Sequence, residues 1–149
     1  MKSKNIKRMV FLDTNILMHC LTGDSQILLL FEDLLKRKFQ YITNAIVVQE
    51  LLHTIEFTQA KRKSISGDLS KLLTKVKVVD FGDVEIKYPS KLSADNKPLQ
   101  LHVNDLLNIN SAIKKCDYFI TFDKALNALG TVERTKIVSP SKFFKLEGD

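Results

Sequence analysis

The chain has 149 residues, 44% of them hydrophobic and 27% charged. That is enough apolar material for one core, and it excludes a largely disordered chain. The formal net charge of +6 favours polyanionic partners, such as nucleic acid or an acidic membrane surface.

Met9 to Leu12 is a short apolar run followed by Asp13, Thr14 and Asn15. Such a run, with polar residues at its C-terminal end, predicts a buried parallel strand. From Ser25 to Phe39, the residues Ile27, Leu28, Phe31, Leu34 and Leu35 recur at helical spacing. Lys36, Arg37 and Lys38 fall near the end of that helix, where cations suit its dipole. Gln40 to Thr43 is a second strand. Thr43 or Asn44 is placed to cap the next helix, which carries Ile46, Val47, Glu50, Leu51 and Ile55. Thr58 to Thr74 reads as a further helix with a break near Gly67. The β-branched segment Val76 to Phe81 is a third strand.

Between Gly82 and His102, Pro89 and Pro98 predict a loop with one short helix. Val103 to Lys115 is helical again. Asp117 to Phe122 is a fourth strand that runs directly into Asp123. A short helix over Lys124 to Leu129 is closed by Gly130. A fifth strand, Lys136 to Ser139, precedes a C-terminal tail. Strands alternating with helices imply an α/β sandwich around a mainly parallel five-stranded sheet. No repeat, low-complexity tract or linker divides the chain, so residues 1–149 are expected to form one domain. No apolar run approaches a membrane span, and a cytoplasmic protein is expected.

Cys20 and Cys116 have neither Cys-x-x-Cys nor zinc spacing and are expected to be buried free thiols. His19, His53 and His102 show no metal spacing, and none is assigned a catalytic role. No glycine-rich dinucleotide motif or Walker A lysine is present, so no nucleotide cofactor is expected.

The acids carry the chemistry. Asp13 follows the first strand and Asp123 the fourth, at the strand ends where open α/β sheets bind ligands. Glu50 lies in an apolar helical stretch, where an unpaired charge is rare. Asp105 opens the helix that continues through Leu106 and Leu107. Taken singly, each Asp also fits an ordinary turn, cap or dipole role. Taken together, the four acids converge if both helices pack on the sheet near that rim. Clustered carboxylates need a cation to stay charged at neutral pH. Their hard oxygens select Mg²⁺ or Mn²⁺. Such a site suits cleavage of phosphodiester bonds.

The segment Phe11-Leu12-Asp13-Thr14-Asn15 resembles the opening motif of PIN-domain nucleases. Val48-Gln49-Glu50-Leu51, Asn104-Asp105-Leu106-Leu107 and Phe119-Ile120-Thr121-Phe122-Asp123 resemble their later motifs, in the same order along the chain. The resemblance implies a three-layer α/β/α fold. It makes Asp13, Glu50, Asp105 and Asp123 the metal-binding quartet. It makes Thr14, Asn15 and Thr121 the groups that orient carboxylates or substrate phosphate. Asn108, one turn beyond Asp105, is expected to face the site in place of a further acid that some relatives carry. The size is similar to VapC-type toxins, the ribonuclease halves of toxin–antitoxin pairs. That likeness implies an RNA substrate, a small antitoxin partner and a homodimer. It also places Lys61, Arg62 and Lys63 on an arm beside the site, where they would grip the RNA backbone.

Three rivals compete with this. Haloacid-dehalogenase-like phosphatases carry Asp-x-Asp at the first strand, whereas the second position here is Asn15. An RNA-binding scaffold is the reading for domains that have lost acids, whereas all four matching acids are present. DNA-directed relatives are longer and carry extra DNA-gripping elements. A standalone RNA-processing nuclease remains the alternative within the ribonuclease class.

Overall fold

The unbroken apolar run of β1 (Met9–Leu12) is buried from its second residue onward, as a strand with neighbours on both edges requires. In a computed structural model, which describes residues 8–36, 39–60, 69–80, 103–113 and 115–147, β1 is the third strand of a six-stranded sheet. It pairs in parallel with β2 (Gln40–Asn44) on one edge and β4 (Tyr118–Ile120) on the other. Beyond β2 lies β3 (Val76–Val79), and beyond β4 lies β6 (Thr135–Val138), both parallel. The two-residue β5 (Thr131–Val132) closes that edge antiparallel to β6. The order is β3-β2-β1-β4-β6-β5.

The sheet thus has one strand more than the five expected. β5 is too short to show a period-two pattern, so only its pairing reveals it. The turn between β5 and β6 holds Glu133 at a φ of 55°, a left-handed conformation that a side chain adopts at some cost.

Seven helices are described, and with the sheet they make an α/β/α fold. α1 (Thr14–Leu21) and α2 (Ser25–Lys36) connect β1 to β2. α3 (Ala45–Ala60) and α4 (Leu69–Lys75) lead to β3. α5 (Val103–Ile113) precedes β4, α6 (Lys124–Asn127) follows it, and α7 (Pro140–Glu147) ends the described chain. α1 was not among the expected elements. It buries Ile16, Leu17, Cys20 and Leu21 at helical spacing. α7 stands where a tail was expected; Pro140 occupies its first position with a preset φ, and Phe143 is fully buried. Asn44 rather than Thr43 caps α3, its Oδ1 accepting the Val47 N–H at 3.0 Å. Thr43 instead donates to the Leu12 carbonyl at 3.2 Å. Lys61, Arg62, Lys63 and the stretch 82–102 lie outside the described residues.

The core is centred on β1 and β4. Phe11 and Phe119 are register partners on these strands, and their rings stack with centroids 4.9 Å apart. Truncating either to alanine would cost about 3–5 kcal/mol. Cys20 and Cys116 are free and buried, and burial pushes both thiols up to about 12. Among the described residues no helix is long and apolar enough to cross a membrane.

The chain runs outward from β1 through β2 to β3, then returns to β4 on the other side of β1. Strand order therefore reverses between β1 and β4. In sheets of this kind the ligand crevice opens at that reversal, beyond the C-terminal strand ends. Asp13 and Asp123 leave the sheet there.

Candidate active site

Asp13 carries the β1–β4 pairing one residue past the strand, its N–H reaching the Ile120 carbonyl at 3.2 Å. The chain then turns from extended backbone into α1, with Asp13 as its N-cap. Asp13 is buried, 6% exposed. Its Oδ1 accepts the Thr14 N–H at 2.8 Å, and its Oδ2 accepts the Thr121 hydroxyl at 2.7 Å.

Thr121 is the junction of the site. Besides donating to Asp13, its Oγ1 accepts from Asn15 Nδ2 at 3.2 Å and from the Asp123 N–H at 3.0 Å. One donated and two accepted bonds use the full capacity of a hydroxyl. Asn15 Oδ1 in turn accepts the Phe122 N–H at 3.2 Å. The polar residues after β1 and β4 are thereby sewn together. Asp123 caps the short α6, its Oδ1 accepting from Ala125 N at 2.8 Å and Leu126 N at 3.2 Å.

Glu50, partly buried on α3, joins two other elements. Its Oε2 accepts the Thr14 hydroxyl and its Oε1 accepts Asn104 Nδ2, each at 3.1 Å. Asp105 lies beside Asn104 in the first turn of α5. Asn108 is buried one turn further on, and its Oδ1 accepts Asn44 Nδ2 at 2.8 Å.

The acids act on one another. Burial pushes the Asp13 carboxyl up to about 6. The hydrogen bonds from Thr121 and Thr14 oppose that shift, and the negative charges of Asp105 and Glu50 add to it. Three of the four sequence-identified acids therefore share one electrostatic environment, while Asp123 is tied to Thr121 through its backbone N–H.

This donor set is all carboxylate oxygen, the chemistry that suits a hard divalent cation. Among the described residues, no three His, Cys, Asp or Glu side chains are gathered closely enough to enclose a metal ion. Magnesium does not require such a cage. It binds through one or two carboxylates, keeps several waters and completes its shell with substrate phosphate. The site fits that mode of binding and does not fit a closed structural site.

Sequence reasoning overlooked three contributors. Asn104 orients Glu50, although it stands inside a motif noted for its neighbour Asp105. Asn127 donates to the carbonyls of Thr121 at 2.9 Å and Asp123 at 2.8 Å; its position four residues after Asp123 on a short helix was the available signal. Asn44 was legible as a cap but not as a link to α5. Lys61, Arg62 and Lys63 are outside the described residues, so the geometry adds nothing about them.

The family model described as PIN domain matches residues 10–131, a span that begins in β1, ends in β5 and includes all four acids. No curated protein matches the sequence. Among solved structures, the chain is similar to the crystal structure of VapBC2 from Rickettsia felis bound to a DNA fragment from their promoter. The TM-score is 0.63 at 19% identity, covering 88% of this chain and 98% of that one. At that identity the likeness speaks to the fold, and it is the same α/β/α fold. With the family match covering residues 10–131, most of its length, the chain belongs to the PIN domain family.

Proposed function

We propose that the protein is a divalent-metal-dependent endoribonuclease and the toxin of a toxin–antitoxin pair. The observation that carries this reading is the buried Asp13 carboxylate at the strand reversal, with Glu50 and Asp105 near enough to act on it. A carboxylate whose proton affinity is raised chiefly by burial, and further by two neighbouring acids, is short of positive charge. Asp13, Glu50, Asp105 and Asp123 would hold Mg²⁺ or Mn²⁺. A bound ion of that kind supplies charge neutralisation for the acids and a polarising centre for the phosphate and the attacking water.

The chain's own residues do the positioning. Thr121 and the Thr14 N–H hold the two Asp13 oxygens in one orientation. Thr14 and Asn104 do the same for Glu50. Fixed carboxylates of this kind need no reorganisation when a phosphodiester enters. RNA is the expected substrate in a basic protein of this family. Lys61, Arg62 and Lys63 would contact its backbone. The toxin assignment leans on the fold shared with VapBC2 and implies a small antitoxin, a homodimer and a cytoplasmic setting.

The test is cleavage of labelled structured and single-stranded RNA in Mg²⁺, in Mn²⁺ and in chelator. Asp13→Asn and Asp123→Asn are assayed beside the wild type. Metal-dependent cleavage lost in both variants is the expected result. A folded wild type that neither cleaves RNA nor binds Mn²⁺ overturns the reading and leaves a scaffold.

A further inference from the structure

Phe122 lies between Thr121 and Asp123, two residues bound into the site, yet its own side chain is turned outward. It is 38% exposed, whereas Thr121 beside it is fully buried. Its ring meets His19, with centroids 4.6 Å apart and planes tilted by 39°. His19 and Asn15 are four residues apart on α1 and so share a helical face. Asn15 holds the Phe122 N–H and the Thr121 hydroxyl. A continuous path therefore runs from the Asp13 carboxylate through Thr121 and Asn15 to an exposed pair of rings.

The pair is also held in place. His19 Nδ1 lies 2.8 Å from Asp24 Oδ2. Asp24 is itself fixed, its Oδ1 accepting the Gln26 and Ile27 N–H groups at 3.0 and 3.4 Å. Phe122 is fixed through its backbone bond to Asn15. An aromatic surface that is already ordered loses little freedom when a planar ligand settles on it.

We propose that the His19–Phe122 pair is a stacking platform for a nucleobase that flanks the scissile phosphate of single-stranded RNA. This inference rests on the ribonuclease reading above and adds a base-binding subsite to it. Every nucleobase offers a flat face, so the platform recognises single-strandedness rather than one base. A base in a duplex has both faces covered and cannot use it. Phosphate contacts alone would not distinguish the two forms in this way.

The experiment reads binding separately from cleavage. Fluorescence anisotropy in chelator at low salt is measured with short single-stranded RNAs in which one abasic position is walked along the strand. Wild type, Phe122→Leu, Phe122→Tyr and His19→Ala are compared, with circular dichroism reporting their folding. In wild type, removal of one base is expected to weaken binding about tenfold, within the range for stacking on an aromatic ring. In Phe122→Leu that abasic penalty is expected to disappear, and in Phe122→Tyr to return. Equal binding of intact and abasic RNA by wild type, or an unchanged penalty in a folded Phe122→Leu, overturns the platform. Cleavage in Mg²⁺ or Mn²⁺ is run on the same RNAs. Cleavage without an abasic penalty overturns the platform alone. A penalty without metal-dependent cleavage overturns the nuclease reading and leaves the platform standing.

Discussion

Asn44 Nδ2 stands 2.8 Å from Asn108 Oδ1, and both side chains are buried. The same amide nitrogen reaches Ser111 Oγ at 3.1 Å, while Asn44 Oδ1 caps α3. One side chain at the end of β2 thus ties the helix that carries Glu50 to the helix that carries Asp105. Asn44→Ala would leave the Asn108 carbonyl and the Val47 N–H without these partners. The expected loss is about 2–4 kcal/mol, combining a lost cap with buried unpaired groups. Urea denaturation measures it. A loss near zero would mean that the two helices are held in place without this link.

Thr121→Val keeps the shape of the side chain and removes its hydroxyl. Three hydrogen bonds go with it, including the one that orients Asp13. Cleavage of RNA should fall about 10–100-fold, the usual effect of losing a group that orients a metal ligand. Thr121→Ser, which retains the hydroxyl, should recover most of the activity. A valine variant with wild-type kcat/KM would remove Thr121 from the mechanism.

Asp13 makes the metal-free protein sensitive to pH. Its carboxyl stands at about 6 in the folded chain against an ordinary value of 3.8. Below the lower value both folded and unfolded chains carry the proton, and Asp13 contributes nothing. As pH rises from there to about 6, the unfolded chain ionises first and stability falls. Above that the full penalty applies, at most about 3 kcal/mol. Asp13→Asn should therefore be more stable than wild type in chelator at pH 7.5 and less stabilised on acidification. The gain is reduced by about 1 kcal/mol, because one amide group cannot accept both hydrogen bonds. Thermal scans across pH test this. Added Mn²⁺ should raise the wild-type Tm and leave that of the variant nearly unchanged. Parallel pH profiles of the two proteins would show that Asp13 is not the group responsible.

Arg8 clasps the other end of the sheet. Its guanidinium donates to both oxygens of Glu147 at 2.8 and 3.0 Å and lies 4.9 Å from the centroid of the Phe39 ring. The hydrogen bond to Glu147 raises the Arg8 pKa further, and the Tyr118 hydroxyl donates to the same carboxylate. Arg8→Met should cost about 1–2 kcal/mol, since the arginine is half exposed and partly screened. Faster hydrogen exchange in α7 would report the loosened helix, with RNA cleavage unaffected. Arg8→Lys should not recover the loss, because an ammonium cannot make the paired contact. Unchanged exchange in both variants would show that α7 is held without the Arg8–Glu147 pair.

The strongest parts of the pattern were readable from local residues. β1 and β4 are apolar runs ended by polar residues, and burial on both faces demands that composition. The acids were legible because Asp13 and Asp123 each follow such a run. α1 was not legible, since its opening residues, Thr14 and Asn15, also suit a strand-end turn. α7 was hidden by its short length and its lysines, and β5 by having two residues.

The sequence by itself determined five of the six strands, which acids follow them, and the order in which they occur. Those features depend on neighbours along the chain, so composition and spacing express them. Only the tertiary structure decided that β1 lies between β2 and β4, because parallel pairing joins segments far apart in sequence. That placement buries Asp13, sets it within the field of Glu50 and Asp105, and gives Thr121 its three partners. Desolvation and hydrogen-bond geometry are properties of the packed chain, and no local pattern encodes them.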